Sequence, residues 1–88
     1  MTAGELRFTE HALTGMRQRG ILREDVENVF RHPQNTFPGY GGCTVHETIV
    51  KHPDGRREIL RVVADYEESS PVVVTVYFEG NLSRFGGK

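Results

Sequence analysis

One cysteine, Cys43, stands in the whole chain, so no internal disulfide can form. No apolar run is long enough to span a membrane as a helix. The opening residues, MTAGELRF, lack the basic region and apolar core of a secretory signal. These absences together lead us to expect a cytoplasmic protein. A surplus of basic charge is missing too: the net charge is -1. Binding to a polyanion draws on Lys and Arg, so any nucleic-acid function must rest on a local basic cluster. The patterns GxSxG, GxGxxG and the P-loop are all absent, and Cys43 has no evident base. Cys43 and His46 lie on opposite faces of a strand, and His46 and His52 about 20 Å apart along it. No zinc spacing fits, so we expect no metal and no cofactor.

What is present suits one small domain over residues 1–88 of the 88. The apolar fraction of 36% is enough for a modest core. Leu6–Phe8 suits a short edge strand. Thr9 is a good N-cap, and Ala12, Leu13 and Met16 share a helical face. Gly20 can take the left-handed conformation that ends a helix, which predicts a helix over 10–19. Val26, Val29 and Phe30 form a second stripe, and Pro33 stops it, giving a helix over 23–31. Residues 33–42 read as a Pro- and Gly-rich loop. Strands are predicted at 43–51, 56–66 and 72–78, separated by turns at HPDGR and EESSP. The tail, about 81–88, is expected to fray. Short connections imply an antiparallel meander. The fold class is therefore α+β: two N-terminal helices packed on one face of a small antiparallel sheet.

Alternation sorts the strand side chains into faces. Leu60, Val62 and Ala64, with Val72, Val74, Val76 and Phe78, form apolar sets expected to face the helices. The opposite sets carry Arg57, Arg61, Thr75 and Tyr77 onto an open face. Val45 and Ile49 read as core, which sends His46 and Thr48 to that open face as well. The hairpin register has two solutions. A two-residue Asp54-Gly55 turn pairs Thr48 with Arg61, whereas a type I turn with a Gly bulge pairs Glu47 with Arg61. In the second, Arg61 has a salt-bridge partner and a structural job.

The open face has the parts for phosphodiester chemistry. Arg61 or Arg57 offers a fork of donors for phosphate and a charge for the transition state. Tyr77 suits stacking or proton transfer, and Thr75 a hydrogen bond to phosphate or a 2′-hydroxyl. A histidine supplies general acid–base chemistry near neutral pH. Outward Arg, Thr and Tyr are also common on strands for solubility and propensity alone.

HALTGMRQRGI at 11–21 resembles the opening motif of a small bacterial family known as domain of unknown function 4258. That motif runs His-Ala, then Arg-Met at the fifth and sixth places, then Arg-Gly-Ile. His11, Ala12, Met16, Arg19, Gly20 and Ile21 match it, and Gly15 stands where the family has Arg. EDVENVF at 24–30 and VVTVY at 73–77 also resemble the family, so the likeness spans roughly residues 6–79. The family is similar to RelE- and ParE-like toxins and other small metal-independent ribonucleases. The resemblance implies a RelE-like fold and RNA as substrate, cleaved by attack of the ribose 2′-hydroxyl on the adjacent phosphate. It places His11 and Arg19 on the helical motif and Thr75 on the last strand.

Two functions follow as expectations. The first is a toxin-type endoribonuclease, paired with an antitoxin protein, with His11, Arg61, Thr75 and Tyr77 catalytic and Arg19, Arg57 and His46 binding substrate. The second is a catalytically inactive member acting as a protein-binding or assembly module, favoured by Gly15 and the net charge. A homodimer through a strand edge or Phe85 is a third possibility. On a helical wheel at about 100° per residue, Ala12, Leu13 and Met16 centre near 145° from His11, and Arg19 lies near 80°. Arg19 therefore sits at the edge of the buried stripe, and His11 points away from it.

Overall fold

The computed structural model describes residues 6–66 and 70–87. Most of the connection expected at 67–71 lies outside them. The chain runs β1 (Arg7–Phe8), α1 (Glu10–Arg19), α2 (Arg23–Arg31), β2 (Asn35–Pro38), β3 (Thr44–Lys51), β4 (Arg57–Asp65) and β5 (Val72–Glu79), with 3-10 turns at Tyr40–Gly42 and Leu82–Arg84. Among the described residues no helix is long and apolar enough to cross a membrane.

Both helices form where their apolar stripes place them, and the first is also fixed by its caps. Thr9 Oγ1 accepts from the Ala12 N–H at 3.1 Å, satisfying a donor of the first turn that has no partner within the helix. Its hydroxyl donates to the Val74 carbonyl at 3.2 Å, so the same residue pins α1 to β5. Gly20 ends α1 at φ 68°, where a side chain would clash with its own backbone. α2 starts at Leu22, which has no capping side chain; instead its N–H donates forward to Asp25 Oδ2 at 3.2 Å. Ala12, Met16, Ile21, Val26 and Val29 bury their side chains against Leu60, Val62, Val73 and Val76.

The sheet order is β1-β5-β4-β3-β2, and the sheet is mixed. β2 through β5 pair antiparallel, but β1 pairs parallel with β5. This corrects the purely antiparallel sheet expected from the sequence. Short connections govern only strands adjacent in the chain, whereas β1 meets β5 across 65 residues, from Arg7 to Val72. The loop expected over 33–42 also holds a strand. β2 forms because Asn35–Pro38 pairs with Thr44–Glu47, and Pro38 is tolerated there at an edge.

Two details shift side chains between faces. The Val63/Ala64 step of β4 faces a bulge in β5, so Ala64 pairs with Val73 and Val63 with Thr75. Val73 is thereby turned into the helix-side core, fully buried, while Val74 is only half-buried. The β3–β4 hairpin takes the bulged-turn register, with Glu47 opposite Arg61 and His46 opposite Val62. His46 and Thr48 therefore face the helices, correcting their placement on an open face. Val45 and Ile59 are buried on the other side, where Phe37 is the cross-strand partner of Val45. A sheet covered on both faces carries apolar residues on both, so alternation alone picks the wrong side.

Candidate functional site

Three clusters concentrate the polar chemistry of the described residues. The first lies on the sheet face away from the helices. Glu47, 0% exposed, and Arg61, 7% exposed, form an ion pair with Nε to Oε1 at 2.9 Å. Glu47 Oε2 accepts from Asn35 Nδ2 at 3.0 Å and from the Gly86 N–H. Arg61 Nη2 donates to the Arg84 carbonyl at 2.7 Å, and its guanidinium lies over the Phe37 ring. Burial alone would ease the proton off Arg61; the Tyr77 and Glu47 oxygens beside it outweigh burial and raise its pKa. The tail after β5 thus crosses this face and is held by both members of a buried ion pair.

The second cluster is a cleft of about 270 Å³ between the C-terminal end of α1, one flank of α2 and the β3–β4 hairpin. Arg19, Asp25, Asn28, Thr48, His52 and Phe78 are among the residues lining it. His52 Nε2 is 2.7 Å from Glu58 Oε1, and the imidazole stands edge-on to Phe78 with centroids 5.2 Å apart. Both partners are about four-fifths covered yet reach solvent, with side-chain exposures of 22% and 21%. A carboxylate on one ring nitrogen fixes the tautomer and leaves the other nitrogen as a base. Arg19 closes the α1 side. Its Nη1 donates back to the Gly15 carbonyl at 3.2 Å, and the missing Cβ of Gly15 leaves room for that guanidinium.

The third cluster joins the sheet to the end of α2. His46, 6% exposed, packs against Phe30 at 4.6 Å between centroids. Its Nε2 lies 2.9 Å from the Tyr66 hydroxyl, while buried Nδ1 has no partner. Burial lowers the His46 pKa below its ordinary value. His46 is thus buried between Phe30 and Tyr66 on the helix side of the sheet.

The structure does not bring the residues singled out from the sequence into one site. Arg61, Tyr77 and Thr75 share the far face, where Tyr77 pairs across from Arg61 and Thr75 across from Val63. His11 is exposed on the first turn of α1, in the layer on the opposite side of the sheet. About 12 Å of helix separates it from Arg19. Arg57 is exposed at the hairpin end, directly opposite Lys51. Only Arg19 borders the cleft. Sequence reasoning missed the His52–Glu58 pair. The signal lay in the bulged-turn register: Val50 opposite Glu58 puts His52, two residues on, diagonal to Glu58 on the same face. Among the described residues no three His, Cys, Asp or Glu side chains gather as a metal site.

A family model described as a domain of unknown function, DUF4258, matches residues 8–78. No curated protein and no solved structure matches the chain.

Proposed function

This chain belongs to the DUF4258 family, and from that premise we propose that it is a small, metal-independent endoribonuclease of the RelE/ParE-like toxin type, acting in the cleft beside α1. The observation that carries the reading is the His52–Glu58 pair at 2.7 Å in the wall of a cleft bordered by Arg19. The acid–base role passes from His11 to His52, because His11 lies a helix length away from any phosphate seated at Arg19.

The reaction needs only groups the cleft supplies. Glu58 accepts a hydrogen bond from His52 Nε2–H and leaves Nδ1 basic. Nδ1 takes the proton of a ribose 2′-hydroxyl as its oxygen bonds to the adjacent phosphorus. The bond from phosphorus to the 5′-oxygen breaks, and the proton held by His52 passes to that leaving oxygen. The products are a 2′,3′-cyclic phosphate and a 5′-hydroxyl. Arg19 faces the charge that grows on the phosphoryl oxygens. Arg61 is not assigned to phosphate, since Glu47 and the tail occupy its donors. Tyr77 and Thr75, on Arg61's side of the sheet, take no part. As a toxin, the protein works beside an antitoxin protein, and expression without one slows growth.

The test is incubation of purified protein with mixed RNA, with the product ends identified. Cyclic phosphate ends that disappear in His52→Ala, with folding intact by circular dichroism, support the proposal. Wild-type protein that leaves RNA intact, or an active His52→Ala, sinks it. One observation favours a second reading, a binding or assembly module without catalysis. The buried Glu47–Arg61 pair spends the strongest phosphate-binding group of the sheet on holding the tail. Intact RNA together with stable capture of a protein partner selects that reading.

A further inference from the structure

The end of the β3–β4 hairpin carries a charge arrangement that the fold itself does not use. Lys51 and Arg57 are direct cross-strand partners, and both are exposed. Like charges set directly opposite one another destabilise a sheet. Neither has an ion pair among the described residues, whereas the neighbouring Arg56 is held by Asp54 at 3.0 Å and approaches Glu58 at 3.8 Å. Arg23, on α2, likewise has Glu27 at 3.3 Å.

The position of this pair matters. Strand alternation sends both side chains to the face away from the helices, since Val50 and Glu58 face them. His52 follows Lys51 directly and turns into the cleft on the helix side. Lys51 itself also borders that cleft. Cations without an ion pair among the described residues therefore flank the hairpin end on both sides: Arg19 in the cleft, and Lys51 with Arg57 around the edge. In a chain of net charge -1, three cations around one hairpin end are a local concentration of positive charge of the kind polyanion binding draws on, although Asp25 shares the cleft.

We infer that Lys51 and Arg57 form a second phosphate subsite, continuous with the cleft around the hairpin end. The ligand is then a single nucleic-acid strand holding one phosphate at Arg19 and another between Lys51 and Arg57. A mononucleotide would leave the second subsite empty. The inference rests on the cleft as the substrate site, but concerns binding and not cleavage. An external phosphate between the two cations removes the repulsion that the folded chain otherwise carries.

The experiment is fluorescence anisotropy with a fluorescein-labelled eight-nucleotide oligouridine across a salt series. For a single strand each phosphate contact contributes roughly 0.7 to the slope of log affinity against log salt. The double variant Lys51→Ala, Arg57→Ala is expected to bind more weakly, with the slope smaller by about 0.7 as one phosphate contact is lost. The control variant Arg17→Ala, Arg31→Ala removes two exposed helix cations and is expected to keep the wild-type slope. Parallel salt plots for the wild type and the hairpin variant overturn the inference. So does an equal loss of slope in the control, which marks a general charge effect, and so does a wild type that binds no oligouridine. Intact cleavage with an unchanged slope removes the subsite and leaves the ribonuclease reading standing. A lost slope with no cleavage by the wild type does the reverse.

Discussion

Replacing Arg61 by Ala tests the central structural finding, that a buried ion pair fastens the tail to the sheet. Glu47 is fully buried, and its carboxylate is satisfied by Arg61, Asn35 and the Gly86 N–H. Arg61→Ala leaves that charge with two neutral donors, and also releases the Arg84 carbonyl. Removing one member of a buried pair costs about 3–5 kcal/mol, because the remaining charge has neither water nor counter-charge. A domain of this size has a stability of roughly 5–10 kcal/mol, so the variant should lose about half of it. The double variant Glu47→Met, Arg61→Met removes both charges and keeps the volume. It should recover most of the loss, since apolar replacement of a buried pair is often neutral or stabilising by about 1–4 kcal/mol. Urea unfolding followed by circular dichroism measures all three proteins. A loss below about 1 kcal/mol for Arg61→Ala would refute the argument, because that is the worth of a surface pair. So would a double variant no more stable than the single one.

Three further predictions follow from the same contacts. Gly15→Ala should stabilise the protein by about 0.5–1 kcal/mol in the same assay, because the new Cβ meets only the movable end of Arg19 at 2.9 Å and the Val76 carbonyl at 3.7 Å; a destabilised variant would show that Arg19 cannot yield. Ending the chain at Gly80 removes two hydrogen bonds to buried charged groups and should cost on the order of 3 kcal/mol, read as a fall in Tm, whereas an unchanged Tm would mean that the tail contributes nothing. His46 should make stability fall in mild acid. Its folded pKa lies below the ordinary 6.5, so the unfolded chain binds the proton first as pH drops. Its contribution is full above about 6.5 and declines below it, by at most ~1.4 kcal/mol per pH unit. His46→Phe should flatten that part of a stability-against-pH curve measured from pH 5 to 8, and an unaltered curve counts against the assignment.

The helices were legible in the sequence because their signals are local. Thr9, Gly20 and the stripe of Ala12 and Met16 act within a few residues of one another, and α1 spans Glu10–Arg19 as those signals require. β2 was not legible. Asn35–Pro38 has neither β-branched runs nor alternation to mark it, and it is a strand only because β3 lies alongside. The bulge opposite Val63 and Ala64 was equally silent, yet it turns Val73 from the far face into the core. The sequence left two hairpin registers open, and one residue of slip separates them. That slip decides whether Arg61 meets Thr48 or Glu47, and so whether it is free for phosphate or locked in an ion pair.

The amino-acid order by itself determined the α+β class, the two helices, four of the five strands and the family, since each depends on residues close together or on spacing along the chain. Tertiary structure alone decided what the polar residues do. It placed His11 and Arg61 on opposite sides of a sheet and set His52 beside Glu58. It also drew the tail across the face that the sequence left open. The reason is physical: a side chain's face follows from strand register and from what covers each side of the sheet, and both are fixed by contacts between residues far apart in the chain.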